Sequence, residues 1–208
     1  MPCFEMELAY RWNKLSHDIF GFGYNTGHMS HLKSLRRLLT TVRIRRLFFR
    51  LVPLHYTIRP IRPALDLEAL LSCAMTLSHI PQKELRARFQ KEFARQDSGG
   101  WLFLIAAESQ KDEKVLGFVR AMRQGRERQW WIAGLELNPL YRRRGIGTAL
   151  VQGTLTSLQA AGVTEIFLAV NRNSRPAVAL YEKLGFEIMP SLGAEEIYIQ
   201  MRRQLGSC

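Results

Sequence analysis

Cysteine is scarce and scattered: Cys3, Cys73 and Cys208 are odd in number and form no CxxC pair. That argues against a disulfide framework or a cysteine zinc site and points to a reducing, cytoplasmic compartment. Long apolar runs are missing as well. No segment approaches the ~18 uninterrupted apolar residues of a membrane span. The start does not read as a secretory signal, because Glu5 and Glu7 come early and no apolar h-region follows. Its Arg-rich character begins too late for a transit peptide. Internal repeats and low-complexity tracts are absent too. What is left is an ordinary globular hydrophobic content, 47% of 208 residues, enough for one well-buried domain with length to spare.

Acidic residues are the other deficit. Thirty Lys and Arg face 18 Asp and Glu, for a formal net charge of +12, which suggests an anionic partner. The excess is densest near the start, where "HLKSLRRLLTTVRIRRLFFRLV" (31–52) holds seven basic residues and no acid. Leu32, Leu35, Leu38, Leu39 and Val42 recur there at helical spacing, so an amphipathic basic helix is expected. It reads as an arm for a membrane surface or nucleic acid, or as a basic helix packed on the domain, or as a solvated extension.

A boundary near residue 55 follows from the change of pattern. "HYTIRPIRP" (55–63) is a short strand stopped by prolines, and "DLEALLSCAMTLS" is a helix with Asp66 as its N-cap. A second helix runs from Gln82 to about Gln96. "WLFLIAAE" (101–108), "KVLGFVRAM" and "WWIAGLEL" are strands, the last two joined by the polar hairpin "RQGRERQ". A helix spans Gly145 to Ala161, closed by Gly162. "EIFLAV" (165–170) is a strand, "SRPAVALYEKLG" a helix capped by Ser174, and "EIYIQMRR" a last strand. The order is β-α-α-β-β-β-α-β-α-β.

The stretch "NPLYRRRGIGTAL" (138–150) carries the chemistry. A strand ends near Leu137, Pro139 turns the chain, and Gly145 opens a helix. A helix N-terminus offers unpaired N–H groups and a positive dipole end, and glycines at 145 and 147 remove side chains that would keep a phosphate away. The geometry suits a phosphate or pyrophosphate; the blander reading is a glycine-rich turn with solvated arginines. A Walker loop is excluded, since GxxxxGK[ST] is lacking, and the dinucleotide fingerprint fails where Leu150 replaces its third glycine.

"LELNPLYRRRGIGTALV", followed 27 residues after its second glycine by "SRPAVALYEKLGF", resembles the acetyl-CoA-binding core of the GNAT N-acetyltransferase superfamily. Arg142, Gly145 and Gly147 match the family's [RQ]-x-x-G-x-[GA] loop, and Leu180, Tyr181, Glu182, Leu184, Gly185 and Phe186 match its later motif. The likeness covers roughly residues 56–203, with 1–55 as a basic N-terminal extension and 204–208 as a tail.

The resemblance implies an α/β (α+β) fold: a mixed, mostly antiparallel sheet of about six to seven strands with about four flanking helices. It implies acetyl-CoA as co-substrate, no metal, and an amine acceptor, with a homodimer as a common assembly. The fourth and fifth strands would splay apart. The backbone of Leu135, Glu136 and Leu137 would then hold the pantetheine arm. The N–H groups of Arg143, Arg144, Gly145, Ile146, Gly147 and Thr148 would hold the pyrophosphate, with the side chains of Arg142 to Arg144 adding positive field. Tyr181 takes the position of the family's general acid, and a phenol of ordinary pKa ~10 stays protonated at neutral pH. Many members carry Asn where Ser174 stands; Asn173 is the neighbour able to replace it.

Glu136 points away from Leu135 and Leu137, so it is a candidate base if its face is the substrate cleft and a solvated charge if it is not. His79 is a further candidate base, and Trp130 or Trp131 a candidate wall of the acceptor pocket, the other being core. The implied reaction is acetyl transfer from acetyl-CoA to a primary amine by direct attack. The alternative is a non-catalytic acyl-CoA-binding module, or a protein docking on nucleic acid or membrane through 31–52. Protein N-terminal amines, amino-acid derivatives, aminoglycosides and polyamines all remain open as acceptors.

Overall fold

The computed structural model describes residues 53–75, 80–95, 99–109, 114–125, 128–190 and 197–206. The expected helix at 31–52 and His79 lie outside the described residues. In chain order the elements are β1 (Tyr56–Pro60), α1 (Pro63–Met75), α2 (Gln82–Phe93), β2 (Trp101–Glu108), β3 (Val115–Gln124) and β4 (Gln129–Leu137). Then come a 3₁₀ turn (Pro139–Tyr141), α3 (Ile146–Ala160), β5 (Glu165–Asn171), α4 (Arg175–Lys183), β6 (Glu187–Ile188) and β7 (Tyr198–Gln204). The two-residue β6 is too short to leave a periodic signal in sequence.

The strands form one sheet in the order β1-β2-β3-β4-β5-β7-β6. Neighbours are antiparallel except β4 and β5, which are parallel and joined through α3. A parallel pair needs a crossover of this kind, whereas β3 and β4 need only a hairpin. Among the described residues the expected mixed, mostly antiparallel sheet is found, with seven strands and four α-helices.

β2 and β3 are buried along almost their whole length, which explains why they read as continuous apolar runs rather than alternating ones. On one face α1 and α2 cover them: Leu70, Leu71, Leu85 and Phe89 pack with Phe103, Ile105 and Phe118 in one cluster. Phe89 meets Phe118 edge-on at 5.9 Å between ring centroids, and Phe103 stacks on Phe118 at 5.5 Å. Each such side chain contributes about 1.5–3 kcal/mol of burial. α3 lies against the sheet through Ile146, Leu150, Val151, Leu155 and Leu158.

Asp66 is not the N-cap of α1. The helix begins at Pro63, where a missing N–H costs nothing, and Asp66 sits one turn in. Its carboxylate reaches back to accept the Arg62 N–H at 2.6 Å, the reciprocal half of a capping box. It also takes two bonds from Arg59 on β1, at 2.7 and 2.9 Å, tying the first strand to the first helix. Burial alone would raise this carboxyl, but the Arg59 side chain and the Arg62 backbone and side chain outweigh it and hold it at about 2. A carboxyl depressed in the folded state adds stability above its unfolded pKa and loses it as pH falls through the folded one. Asp66→Asn is therefore expected to lower the unfolding free energy at neutral pH by about 2 kcal/mol. The gap to wild type should close between about pH 5 and about pH 2, read from urea titrations across that range.

Candidate active site

β3 pairs with β4 from Gly117–Leu137 to Gln124–Gln129, with one irregularity: Ala121 faces Ile132 and Arg120 faces Gly134, so Ala133 is the extra residue of a bulge. β5 pairs with β4 only through Trp130, Ile132 and the residue between them. At the bulge β4 stays with β3 and leaves β5, which continues with β7 as far as Asn171–Tyr198. The two parallel strands open into a V. Leu135, Glu136 and Leu137 line one arm with no β5 partner among the described residues, leaving an unpaired strand edge.

Immediately beyond, the Asn138 N–H bonds the Leu116 carbonyl at 2.9 Å, and its side chain accepts the Leu140 N–H at 3.1 Å. The short turn this caps buries Tyr141 and leaves Arg142 and Arg143 in solvent, Arg144 half-buried. The Arg142 side chain turns back so that Nε lies 3.4 Å from the Leu137 carbonyl. Arg143 (φ 65°) and Gly145 (φ 80°) are both left-handed, reversing the chain into α3. The Ala149 N–H donates to the Gly145 carbonyl at 2.9 Å, so the N–H groups of Ile146, Gly147 and Thr148 precede that ladder at the positive dipole end. A Cβ on Gly145 would meet only the Tyr56 hydroxyl, at 3.8 Å, so this position is open.

Gly147 departs from expectation. Its missing Cβ would point inward, 3.2 Å from Leu137 Cδ1 and 3.6 Å from Leu180 Cδ2. Gly145 lies outside α3 as its left-handed N-cap, whereas Gly147 is inside the helix on its packed side, so only Gly145 leaves open space where a side chain would stand. Gly147 instead lets α3 close on β4 and α4.

The "LYEKLGF" motif proves to be a helix terminator that holds a ring. Gly185 is left-handed (φ 77°), its N–H bonds the Glu182 carbonyl at 2.9 Å, and the Phe186 N–H bonds the Tyr181 carbonyl at 3.0 Å. These are the two bonds of a Schellman motif, and its usual apolar contact is made here by Tyr181 and Phe186, edge-on at 5.6 Å. Tyr181 is buried, and desolvation pushes its phenol up to about 12. At the other end of α4, Ser174 occupies the N-cap but makes no side-chain cap bond; its carbonyl accepts from Ala177 and Val178. The exposed Asn173 donates its N–H to Asn171 Oδ1 at 2.9 Å.

Glu136 faces the α1/α2 side, in register with Phe118, and opposite Leu135 and Leu137, which reach toward Gly147. It is half-buried rather than a solvated charge. Burial raises its carboxyl; Arg120 and Arg88 act against that and Glu92 with it. Trp130 is the core member of its pair, under the Arg123 guanidinium at 5.4 Å. Trp131 is half-buried, stacked on Phe167 at 5.2 Å. Sequence reading missed Arg120, Glu92 and the bulge. The signals existed: one charge, Arg120, inside the buried run "VLGFVRAM", and one glycine inside the strand "WWIAGLEL".

The family model described as Acetyltransferase (GNAT) family matches residues 65–186, more than half of the chain. The chain belongs to the GNAT acetyltransferase family. Among GNAT relatives, the mycothiol acetyltransferase of Corynebacterium glutamicum is 33% identical over 110 residues, covering 46% of this chain and 37% of that protein. The [ribosomal protein bS18]-alanine N-acetyltransferase of Escherichia coli is 38% identical over 52 residues, 25% of this chain and 35% of that protein. The chain thus spans a little over a third of the length of either relative. The crystal structure of PaiA N-acetyltransferase from Thermoplasma acidophilum in complex with coenzyme A shares the fold. Its TM-score is 0.57 at 21% identity, over 72% of this chain and 99% of that one.

The Schellman terminator gives a direct test. A Cβ in the left-handed region costs about 1–2 kcal/mol, so Gly185→Ala should lose that much stability in chemical denaturation. It should also disturb the near-ultraviolet circular dichroism through the Tyr181–Phe186 pair, which a substitution at the exposed Gly125 would leave unchanged.

Proposed function

We propose that this GNAT protein transfers an acetyl group from acetyl-CoA to a primary amine. The observation that carries the reading is the opening of β4 from β5 directly beside the left-handed turn into α3. An unpaired strand edge there can bind an amide-bearing arm through alternating N–H and C=O groups, and the helix start next to it can bind a pyrophosphate. Leu135 to Leu137 would take the pantetheine arm. The backbone of Arg143 to Thr148 would take the diphosphate, with Arg142 to Arg144 supplying positive field and Asn173 or Ser174 a polar contact. The open position at Gly145 fits this assignment.

An amine arriving as ammonium sheds two protons in becoming an amide. Glu136, whose carboxyl burial raises, accepts one, directly or through water. The nitrogen lone pair then forms the new bond to the thioester carbonyl carbon, and the carbon–sulfur bond breaks. Tyr181 protonates the departing thiolate, and the second nitrogen proton balances the one it gives. A phenol held at about 12 is protonated at every physiological pH, which suits a donor. The net positive charge suits both the polyanionic co-substrate and acidic acceptors.

Release of free thiol from acetyl-CoA across a panel of peptide N-termini, amino-acid derivatives, aminoglycosides and polyamines tests the reaction class. Turnover with at least one amine is expected, and none with any would sink the reading. Tyr181→Phe should bind CoA as wild type does while turning over on the order of 10² times more slowly. An undiminished rate would remove Tyr181 from the role of proton donor.

A further inference from the structure

Arg120 has no part in the scheme above, yet it is 7% exposed and carries a full charge beneath α2. A buried guanidinium persists only where partners compensate it. One of its terminal nitrogens donates to both Glu92 oxygens, at 2.9 and 3.1 Å, and the other lies 3.7 Å from Glu136 Oε1. The first two are charge-assisted hydrogen bonds, whereas the third is an ion-pair distance too long for one. A single planar fork therefore faces two carboxylates on different elements: Glu92 at the end of α2 and Glu136 on the arm of β4 that has left β5. Gly134, in register with Arg120 at the bulge, supplies the room. A Cβ there would stand 2.8 Å from the nitrogen that faces Glu136 and 3.3 Å from Nε.

We propose that Arg120 is a positioning residue, anchored by Glu92 and lodged against the Cβ-less Gly134, which holds the Glu136 carboxylate in place at the β4–β5 opening. The inference rests on the reading of Glu136 as the base. Glu92 takes the short bonds, so the guanidinium is largely neutralised there. Glu136 is oriented without being locked into a tight pair that would spoil it as a proton acceptor. One helix turn earlier, Arg88 lies 3.4 Å from Glu92 Oε1 and is mostly in solvent. From α1 the titratable group facing Glu136 is Cys73, whose thiol burial, and then the Glu136 charge, push up to about 12; it is neutral throughout the working range. The charged groups acting on Glu136 are thus Arg120 from β3 and Arg88 and Glu92 from α2.

The two α2 residues act with opposite sign. Removing the Glu92 charge takes away its direct repulsion of Glu136 and also frees Arg120 to turn onto it, and both lower the proton affinity of Glu136; removing Arg88 raises it. The test is NMR titration of the full chain carrying side-chain-carboxyl ¹³C glutamate, with Glu136 assigned by the signal lost in Glu136→Gln. Glu92→Gln should move the Glu136 midpoint down and Arg88→Gln should move it up. In an Arg120→Met background the Glu92→Gln shift should shrink, because its relay is gone. Both single variants leave the apolar core intact; where Arg120→Met does not fold, Arg120→Lys, which keeps the charge but not the fork, serves as the background in which the Glu92→Gln shift should shrink. A midpoint that stays put in Glu92→Gln, or moves the same way in both single variants, overturns the proposal. The acid limb of the acetylation rate, measured on whichever amine the panel yields, separates the two readings. If the midpoint moves and the limb does not follow, Arg120 positions Glu136 but Glu136 is not the base.

Discussion

The site depends on one backbone event, the departure of β4 from β5 at the Ala133–Gly134 bulge. A strand inside a sheet normally spends its N–H and C=O groups on both neighbours. Here β3 holds β4 to its end, while β5 holds only its first few residues. The remaining half-strand carries polar backbone groups on one edge, which is costly unless water or a ligand meets them. The residue that follows this half-strand anchors the turn, through the Asn138 N–H to the Leu116 carbonyl. Leu135 and Leu137 lie against Gly147, so the start of α3 is packed directly on the open half of β4. A ligand touching both finds them at a set spacing, without ordering either on arrival.

Two of the buried charges in the described residues, Asp66 and Arg120, do different work. Asp66 collects three short bonds from Arg59 and the Arg62 backbone, which satisfy both of its oxygens, and its effect is to staple β1 to α1. Arg120 is divided unevenly between two acids at the edge of the cleft, with one contact left long. The first arrangement secures the fold. The second sets the electrostatics of a single half-buried carboxylate. Tyr181 follows a third pattern, an uncharged acid kept so by desolvation and pinned by a helix terminator.

Much of the fold was legible in the amino-acid order because its signals are local. The apolar runs of β2 and β3, the glycine that closes α3 and the strand–helix alternation depend on neighbours within a few residues, and the elements start and stop near their expected places. Signals that depend on geometry were read less well. Asp66 looks like a cap by type and position, but Pro63 starts the helix a turn earlier and the carboxylate works in reverse. Gly147 looks like a twin of Gly145, yet it lies inside α3 on its packed side.

By itself the sequence determined the family, the order of the described elements apart from the two-residue β6, the glycine turn after Leu137 and the place of Tyr181 in its motif, because each rests on residue types at fixed short spacing. Only the tertiary structure decided where β4 lets go of β5, which face Glu136 occupies, and which charges surround it. Arg120, Glu92 and Glu136 are 28 and 16 residues apart along the chain. No spacing rule connects them; they meet because α2 folds over β3 while the bulge turns β4 beneath it, and a missing Cβ at Gly134 leaves space for the guanidinium.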